Sequence, residues 1–351
     1  MAHSLLASAE KAAFRGLMRL PHRVKRLLAG SPVVLDGQTL DLDSQFILRL
    51  QQLVREPPIE SLPIVELRRA MLRQTGLVAG TEPVGAVRDL RVPGGDGPMA
   101  ARLYTPHALT GPSASAGSLL FFIHGGGMMY GDLESHDATC RFLAEHACTR
   151  VLAVDYRLAP EHPFPAAVED CWTAYEWVSE NADRLGVDPE RIAVGGDSAG
   201  GALSAITAIR AAEAGVPCRF QLLIYPVTNL VEPSESRRLF SKGFFLTEEF
   251  MQIVDKAYLP PGHDRGDPLV SVALTEKIPP GLAPAYVVTA GFDPLRDEGE
   301  AYARRLADEG LSVELKRYPG FVHGFVNMVG ISNPRAALAE IAVKLRTGLA
   351  A

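Results

Sequence analysis

The chain has little cysteine. Cys140, Cys148, Cys171 and Cys218 are the four thiols among 351 residues and none of them makes a CxxC pair, so free thiols in a reducing compartment are expected rather than a disulfide framework. His136, Cys140, His146 and Cys148 fall in one expected helix. They cannot share a single helical face and no HExxH pattern supports them, so no metal is expected. No run of about eighteen uncharged apolar residues is present to cross a bilayer. Lys11, Arg15 and Arg19 interrupt what would have to be the apolar core of a signal peptide, and a cytoplasmic protein is the expectation. Basic excess is missing too. A formal net charge of −6 leaves no domain-wide surplus to neutralise phosphates, which sets nucleic acid aside as a partner. Internal repeats and low-complexity segments are also lacking.

What the chain does have is apolar residues, 47% of 351, enough to bury a substantial core in one large α/β domain with a cap. About eighty residues of helical pattern come first. Leu42-Asp43-Ser44 opens a helix with the stripe Phe46, Ile47, Leu50 and Leu53, and Pro63-Ile64-Val65 opens another running to Leu72. Strands are expected near 86–93, 99–105, 118–124, 150–155, 191–196, 219–225, 285–290 and 312–318. The last six are separated by segments long enough for crossover helices, which predicts an eight-stranded, mostly parallel sheet with an antiparallel start. Residues 111–117 read as a small flexible loop. The basic stretch 19–28 is interrupted by Pro21, so a solvated helix face is expected there and membrane contact is not.

Chemistry concentrates at Gly196-Asp197-Ser198-Ala199-Gly200, directly after the apolar run 191–195. A serine between small residues on a strand-to-helix turn can expose its hydroxyl while strand and helix close on each other. Upstream, Phe121-Phe122-Ile123-His124-Gly125-Gly126-Gly127 ends a second β-type run in glycines. No GxGxxG spacing or Walker lysine follows, so a nucleotide cradle is disfavoured. Consecutive glycines instead let backbone N–H groups approach a tetrahedral oxyanion.

In these blocks the chain resembles the bacterial hormone-sensitive-lipase-like (family IV) esterases of the α/β-hydrolase superfamily. The likeness continues through Gly131-Asp132-Leu133 and His136-Asp137, the stretch 155–166 from Asp155 to Ala166, Asp293-Pro294-Leu295-Arg296-Asp297-Glu298-Gly299 and His323-Gly324-Phe325, in the family's order. It covers about residue 84 onward, with a weaker likeness from about 40. The resemblance implies an α/β-hydrolase domain over 83–351 and a helical cap from 1–82, to which 228–284 contributes. Phe240, Phe244, Phe245, Phe250 and Met251 are expected to line an apolar acyl pocket in that cap. Residues 1–40 precede the first family-like helix and are expected to be dispensable.

In this fold the acid and base follow the serine in that order. His323, in a glycine-bearing loop after the period-2 strand 312–318, fits the base. Two Asp-Pro-Leu strings, at Asp267 and Asp293, compete for the acid. Asp293 follows the buried-strand pattern 285–291, so it stands at a carboxyl end of the sheet, whereas Asp267 follows a breaker-rich loop. Asp293 is preferred. His124 is read as tying down the glycine loop, Asp197 and Glu161 as loop-organising or solvated, and Asp297 and Glu298 as charges on the next helix's opening turn. The resemblance implies backbone donors at Gly126, Gly127 and Ala199 and a serine carboxylesterase for short- to medium-chain acyl esters, without metal or organic cofactor, its chain-length limit bearing on Met128 and Met129. An amidase or deacetylase on small acylated molecules is the alternative, and a homodimer is compatible with the sequence. A non-catalytic receptor on the same fold would lack the histidine, as plant gibberellin receptors do. His323 is present.

Overall fold

Strands that are apolar at every position need cover on both faces. In the computed structural model, which describes residues 2–54, 58–111 and 116–350 with the side chains of 2–8 and 54 set aside, they receive it. In chain order the elements are α1 (Ala2–Met18), α2 (His22–Ala29), β1 (Val34–Leu35), β2 (Gln38–Thr39), α3 (Leu42–Val54), α4 (Ile64–Val78), β3 (Ala86–Gly94), β4 (Gly97–Thr105), β5 (Gly117–Ile123), α5 (Asp137–Ala147), β6 (Arg150–Val154), α6 (Ala166–Glu180), α7 (Ala182–Leu185), β7 (Val187–Asp197), α8 (Ala199–Ala214), β8 (Phe220–Ile224), α9 (Glu235–Leu239), α10 (Glu248–Tyr258), β9 (Ala285–Phe292), α11 (Arg296–Asp308), β10 (Val313–Val322) and α12 (Ser332–Ala350). Residues 112–115 of the expected loop lie outside the described residues.

Eight strands form one sheet in the order β10-β9-β8-β7-β5-β6-β4-β3. Neighbours from β10 to β6 are parallel, and β4 pairs antiparallel with both β6 and β3. Alternate side chains serve opposite faces. Phe121, Leu152 and Val194 pack with Val178 of α6 and Leu203 of α8 on one side, and Phe122, Val151 and Ala193 with Phe142 of α5 and Leu338 of α12 on the other. Strands β5, β6, β8 and β9 are buried throughout, while the edge strands β3 and β10 are partly exposed. Functional loops then collect at the carboxyl ends of β5, β7, β9 and β10, as in other parallel α/β sheets.

The N-terminal helices are tied into this body. Lys25 of α2 is buried against buried Asp43 of α3. Gln45 Nε2 donates to Ala29 O and Ser31 O, and Gln45 Oε1 accepts from Val33 N–H. Phe14 and Met18 pack against a cluster containing Ile47, Phe240, Phe292 and Met328. These contacts argue against the expectation that residues 1–40 are dispensable, because removing them strips α3 and this apolar cluster of their cover. The expected solvated face of the basic segment differs as well: Lys25 points inward, while Leu27 is 82% exposed.

No described helix is long and apolar enough to cross a membrane. All four cysteines are free. The residues of the suspected His/Cys cluster go separate ways: His136 precedes α5 and meets Asp197, Cys140 is buried, His146 bonds Glu82 and Cys148 is exposed beyond the helix end.

Candidate active site

Strand β7 ends at Asp197 and helix α8 begins at Ala199, so Ser198 alone makes the corner. Its backbone has φ 56° and ψ −121°, a left-handed conformation that costs a non-glycine residue about 1–3 kcal/mol. Ser198 N–H donates to Ile224 O at 2.9 Å, and Ser198 O accepts from Ala202 N–H at 3.1 Å. Close packing explains the flanking glycines. A Cβ on Gly196 would lie 2.1 Å from Ile123 O, and one on Gly200 2.0 Å from the same oxygen. The corner is thus pressed against the end of β5.

His323 stands directly after β10, with Nε2 2.9 Å from Ser198 Oγ and Nδ1 2.8 Å from Asp293 Oδ2. Asp293 follows β9 and is fully buried, and its other oxygen accepts Leu295 N–H at 2.9 Å. The ring of Tyr225, after β8, lies 4.6 Å from the imidazole centroid. Asp267 is elsewhere, with Oδ2 3.0 Å from His263 Nε2.

The glycine loop turns after β5. Gly126 has φ 120°, and a Cβ there would lie 2.0 Å from Tyr130 O. Its carbonyl accepts from Met129 N–H and Tyr130 N–H, both at 3.0 Å. Among the described residues the N–H groups of Gly126, Gly127 and Ala199 donate to no protein acceptor, which leaves three donors for a ligand beside Ser198.

Neighbouring polar groups organise this loop. Buried Asp197 accepts Gly125 N–H at 2.9 Å and Asn327 Nδ2 at 3.2 Å and lies 3.2 Å from His136 Nε2. Burial opposes its charge, yet His136 and the Gly125 N–H hold its pKa below the ordinary carboxylate value. Burial, reinforced by His136, pushes His124 down to about 4, so it stays neutral. His124 Nδ1 donates to Gly125 O at 2.8 Å, and its ring stacks on Tyr156 at 4.3 Å.

The part played by Arg68 and the burial of Glu298 were not legible in the sequence. Arg68 of α4 donates to Met129 O and Ala159 O, both at 2.9 Å, and forks onto Glu161 at 2.7 and 2.8 Å. It joins an N-terminal helix to the glycine loop. Glu298, in the opening turn of α11 as expected, is buried and accepts Thr228 N–H and Asn229 N–H at 2.7 and 3.2 Å. Burial pushes its pKa up to about 8 against those two hydrogen bonds and the pull of Arg237, and Asp293 adds to the rise.

Above Ser198 and His323 is a cavity of about 490 Å³. Phe14 of α1, Ile47 and Leu50 of α3 and Met71 of α4 line it, facing Phe245, Leu246 and Phe250. The expected aromatic stripe divides: Phe245 and Phe250 face the cavity, whereas Phe240 and Phe244 pack against Phe292. Met128 and Met129 are buried away from it, Met128 in the core beneath the sheet and Met129 against Leu67 and Phe250.

A family profile described as the alpha/beta hydrolase fold matches residues 120–327, more than half of the chain. The chain belongs to the α/β-hydrolase family. Within it, this hydrolase is one of the hormone-sensitive-lipase-like esterases that its motifs resemble. It is similar to the carboxylic ester hydrolase LipN of Mycobacterium tuberculosis, 41% identical over 327 residues that cover 91% of this chain and 85% of the relative. It is also similar to the ethyl acetate hydrolase of Pseudomonas putida, 38% identical with 78% and 86% covered. Among solved structures, an ester-hydrolase from the metagenome of Lake Arreo, complexed with a derivative of bipyridine phosphonate, superposes with a TM-score of 0.85. That pair is 37% identical, with 89% of this hydrolase and all of the other chain covered.

Proposed function

We propose that this chain is a serine carboxylesterase that hydrolyses short- to medium-chain acyl esters through an acyl-enzyme. The observation that carries the reading is the unbroken line Ser198 Oγ, His323, Asp293, with hydrogen bonds of 2.9 and 2.8 Å beneath a largely apolar cavity. His323 Nε2 takes the proton as Ser198 Oγ attacks the ester carbonyl carbon. Buried Asp293 keeps Nδ1 protonated and stabilises the imidazolium that forms. Negative charge on the former carbonyl oxygen is received by the N–H groups of Gly126, Gly127 and Ala199, aided by the N-terminus of α8. Collapse of that intermediate releases the alcohol, which leaves with the proton from His323. Water then repeats the sequence on the acyl-serine and frees the acid.

In this reading residues 1–82 and 228–284 form the cap over a catalytic unit spanning 83–351. Support comes from the cavity lining, which α1, α3, α4 and the segment around Phe245–Phe250 share. Excluding water there strengthens every hydrogen bond to the oxyanion. Relatives named as carboxylic ester hydrolase and ethyl acetate hydrolase support the ester class, and four unpaired thiols support a cytoplasmic setting. The test is a fluorophosphonate probe followed by peptide mapping. Label on Ser198 with loss of ester hydrolysis is expected, and label on another residue with parallel inactivation refutes the assignment.

A further inference from the structure

Helix α2 is turned opposite to what its charges would favour. Lys25, a cation, is buried with Ala29 on the inner side, while Leu27 is 82% exposed, Leu28 49% and Val24 39%. Leu17, in the last turn of α1, is 38% exposed. The buried pairing of Lys25 with Asp43, and its hydrogen bond to Met18 O, fix this orientation. Exposed Arg19, Arg23 and Arg26 surround the apolar residues. The first thirty residues hold six lysines and arginines and one acid, Glu10, in a chain whose net charge is −6.

We propose that this α1–α2 corner docks on the surface of an anionic lipid bilayer. Leu27, with Val24 and Leu28 beside it, would enter the boundary between headgroups and acyl chains, and the arginines would extend their stems over it to reach lipid phosphates. Charge decides between lipid and a second copy of the chain. A two-fold interface brings the same patch together from both subunits and would set Arg23 and Arg26 against their own copies, whereas an anionic leaflet attracts them. Docking also has a consequence for the cavity, because α1 contributes Glu10 and Phe14 to its lining. The cavity is thereby brought beside the interface where amphiphilic esters collect.

The experiment is sedimentation of the full chain with phosphatidylcholine vesicles, with and without 30% phosphatidylglycerol, alongside size-exclusion chromatography. Binding should be at least about tenfold stronger to the anionic vesicles and should fall in about 0.5 M salt. Arg23→Gln with Arg26→Gln should weaken it about 25-fold, about fivefold for each charge. Leu27→Glu with Leu28→Glu should weaken it at least about tenfold and leave turnover of a water-soluble ester unchanged. Both pairs sit on exposed positions, and thermal melts check that each variant is folded. Equal binding to both vesicle types, no binding to either, or insensitivity to both double variants overturns the proposal. So does a dimer that Leu27→Glu dissociates, since a second copy would then cover the face. The readouts that decide the proposal are vesicle binding and oligomeric state, so failure here is distinguishable from failure of the esterase reading.

Discussion

Replacing Arg68 by alanine tests whether the cap and the glycine loop act as one unit. Its guanidinium makes two hydrogen bonds to carbonyls, Met129 O and Ala159 O, each in the range of about 1.5–3 kcal/mol for a charged donor. The fork onto Glu161 adds little, because the two side chains are 27% and 48% exposed and such pairs contribute about 0–1 kcal/mol. Water recovers part of the carbonyl bonding once the side chain is gone, so about 2 kcal/mol of loop order is lost. If that order positions Gly126 and Gly127, turnover falls about thirtyfold, below the hundredfold or more that follows complete loss of one oxyanion donor. The assay is kcat and KM on p-nitrophenyl acetate, whose small acyl group makes KM insensitive to cavity shape. Arg68→Ala should lower kcat with KM nearly constant, and Arg68→Lys should recover part of it. A folded Arg68→Ala protein with kcat within about twofold of wild type refutes the coupling.

Asp293→Asn should reduce turnover by about ten-thousandfold through the wrong imidazole tautomer, while Asp267→Asn keeps most activity; the reverse ranking, read from kcat, contradicts the acid assignment. Deleting residues 1–40 removes α1, α2 and the β1–β2 ribbon, and with them the cover that Phe14, Met18, Val33 and Leu35 give the cluster of Ile47, Phe240 and Phe292, so the truncated chain should be insoluble or melt well below wild type. A soluble, fully stable truncation argues that the N-terminal helices are an appendage. Glu298 predicts a pH dependence. Its folded pKa of about 8 exceeds the ordinary 4.5, so the folded state holds the extra proton and stability should fall as pH rises from about 4.5 to about 8, then level off. Glu298→Gln retains an oxygen for the Thr228 and Asn229 N–H groups and should flatten thermal melts recorded across that range; unchanged slopes argue against a protonated Glu298.

The central parallel strands were legible because strands buried on both faces read as apolar runs, the partly exposed edge strand β10 because it alternates with period 2, and each of the eight falls within a few residues of its expected place. Ser198, Asp293 and His323 were reachable for a related reason: each stands at the carboxyl end of a strand, the first two after buried apolar runs and His323 after the alternating one. The β1–β2 ribbon was missed, although Asp36-Gly37, both with positive φ, is a strong two-residue hairpin signal. Two short strands beside helical segments simply give little periodicity. The role of Arg68 was hidden by distance, since Glu161 lies 93 residues away and no local pattern relates them. Glu298 does stand in the opening turn of α11, but its burial, like that of Lys25, was not legible. Charged residues on helices are ordinarily solvated, and only tertiary packing reveals that Lys25 meets Asp43 and Glu298 meets two backbone N–H groups.

Turnover of Ser198→Ala is the most direct test of the central claim. The substitution removes one hydroxyl from the corner between β7 and α8 and leaves the core filled, so the protein should fold and melt near wild type. Hydrolysis of acetate and butyrate esters should fall by on the order of a millionfold, and fluorophosphonate labelling should vanish. A purified, folded Ser198→Ala protein that still hydrolyses these esters at near-normal rates would contradict the account.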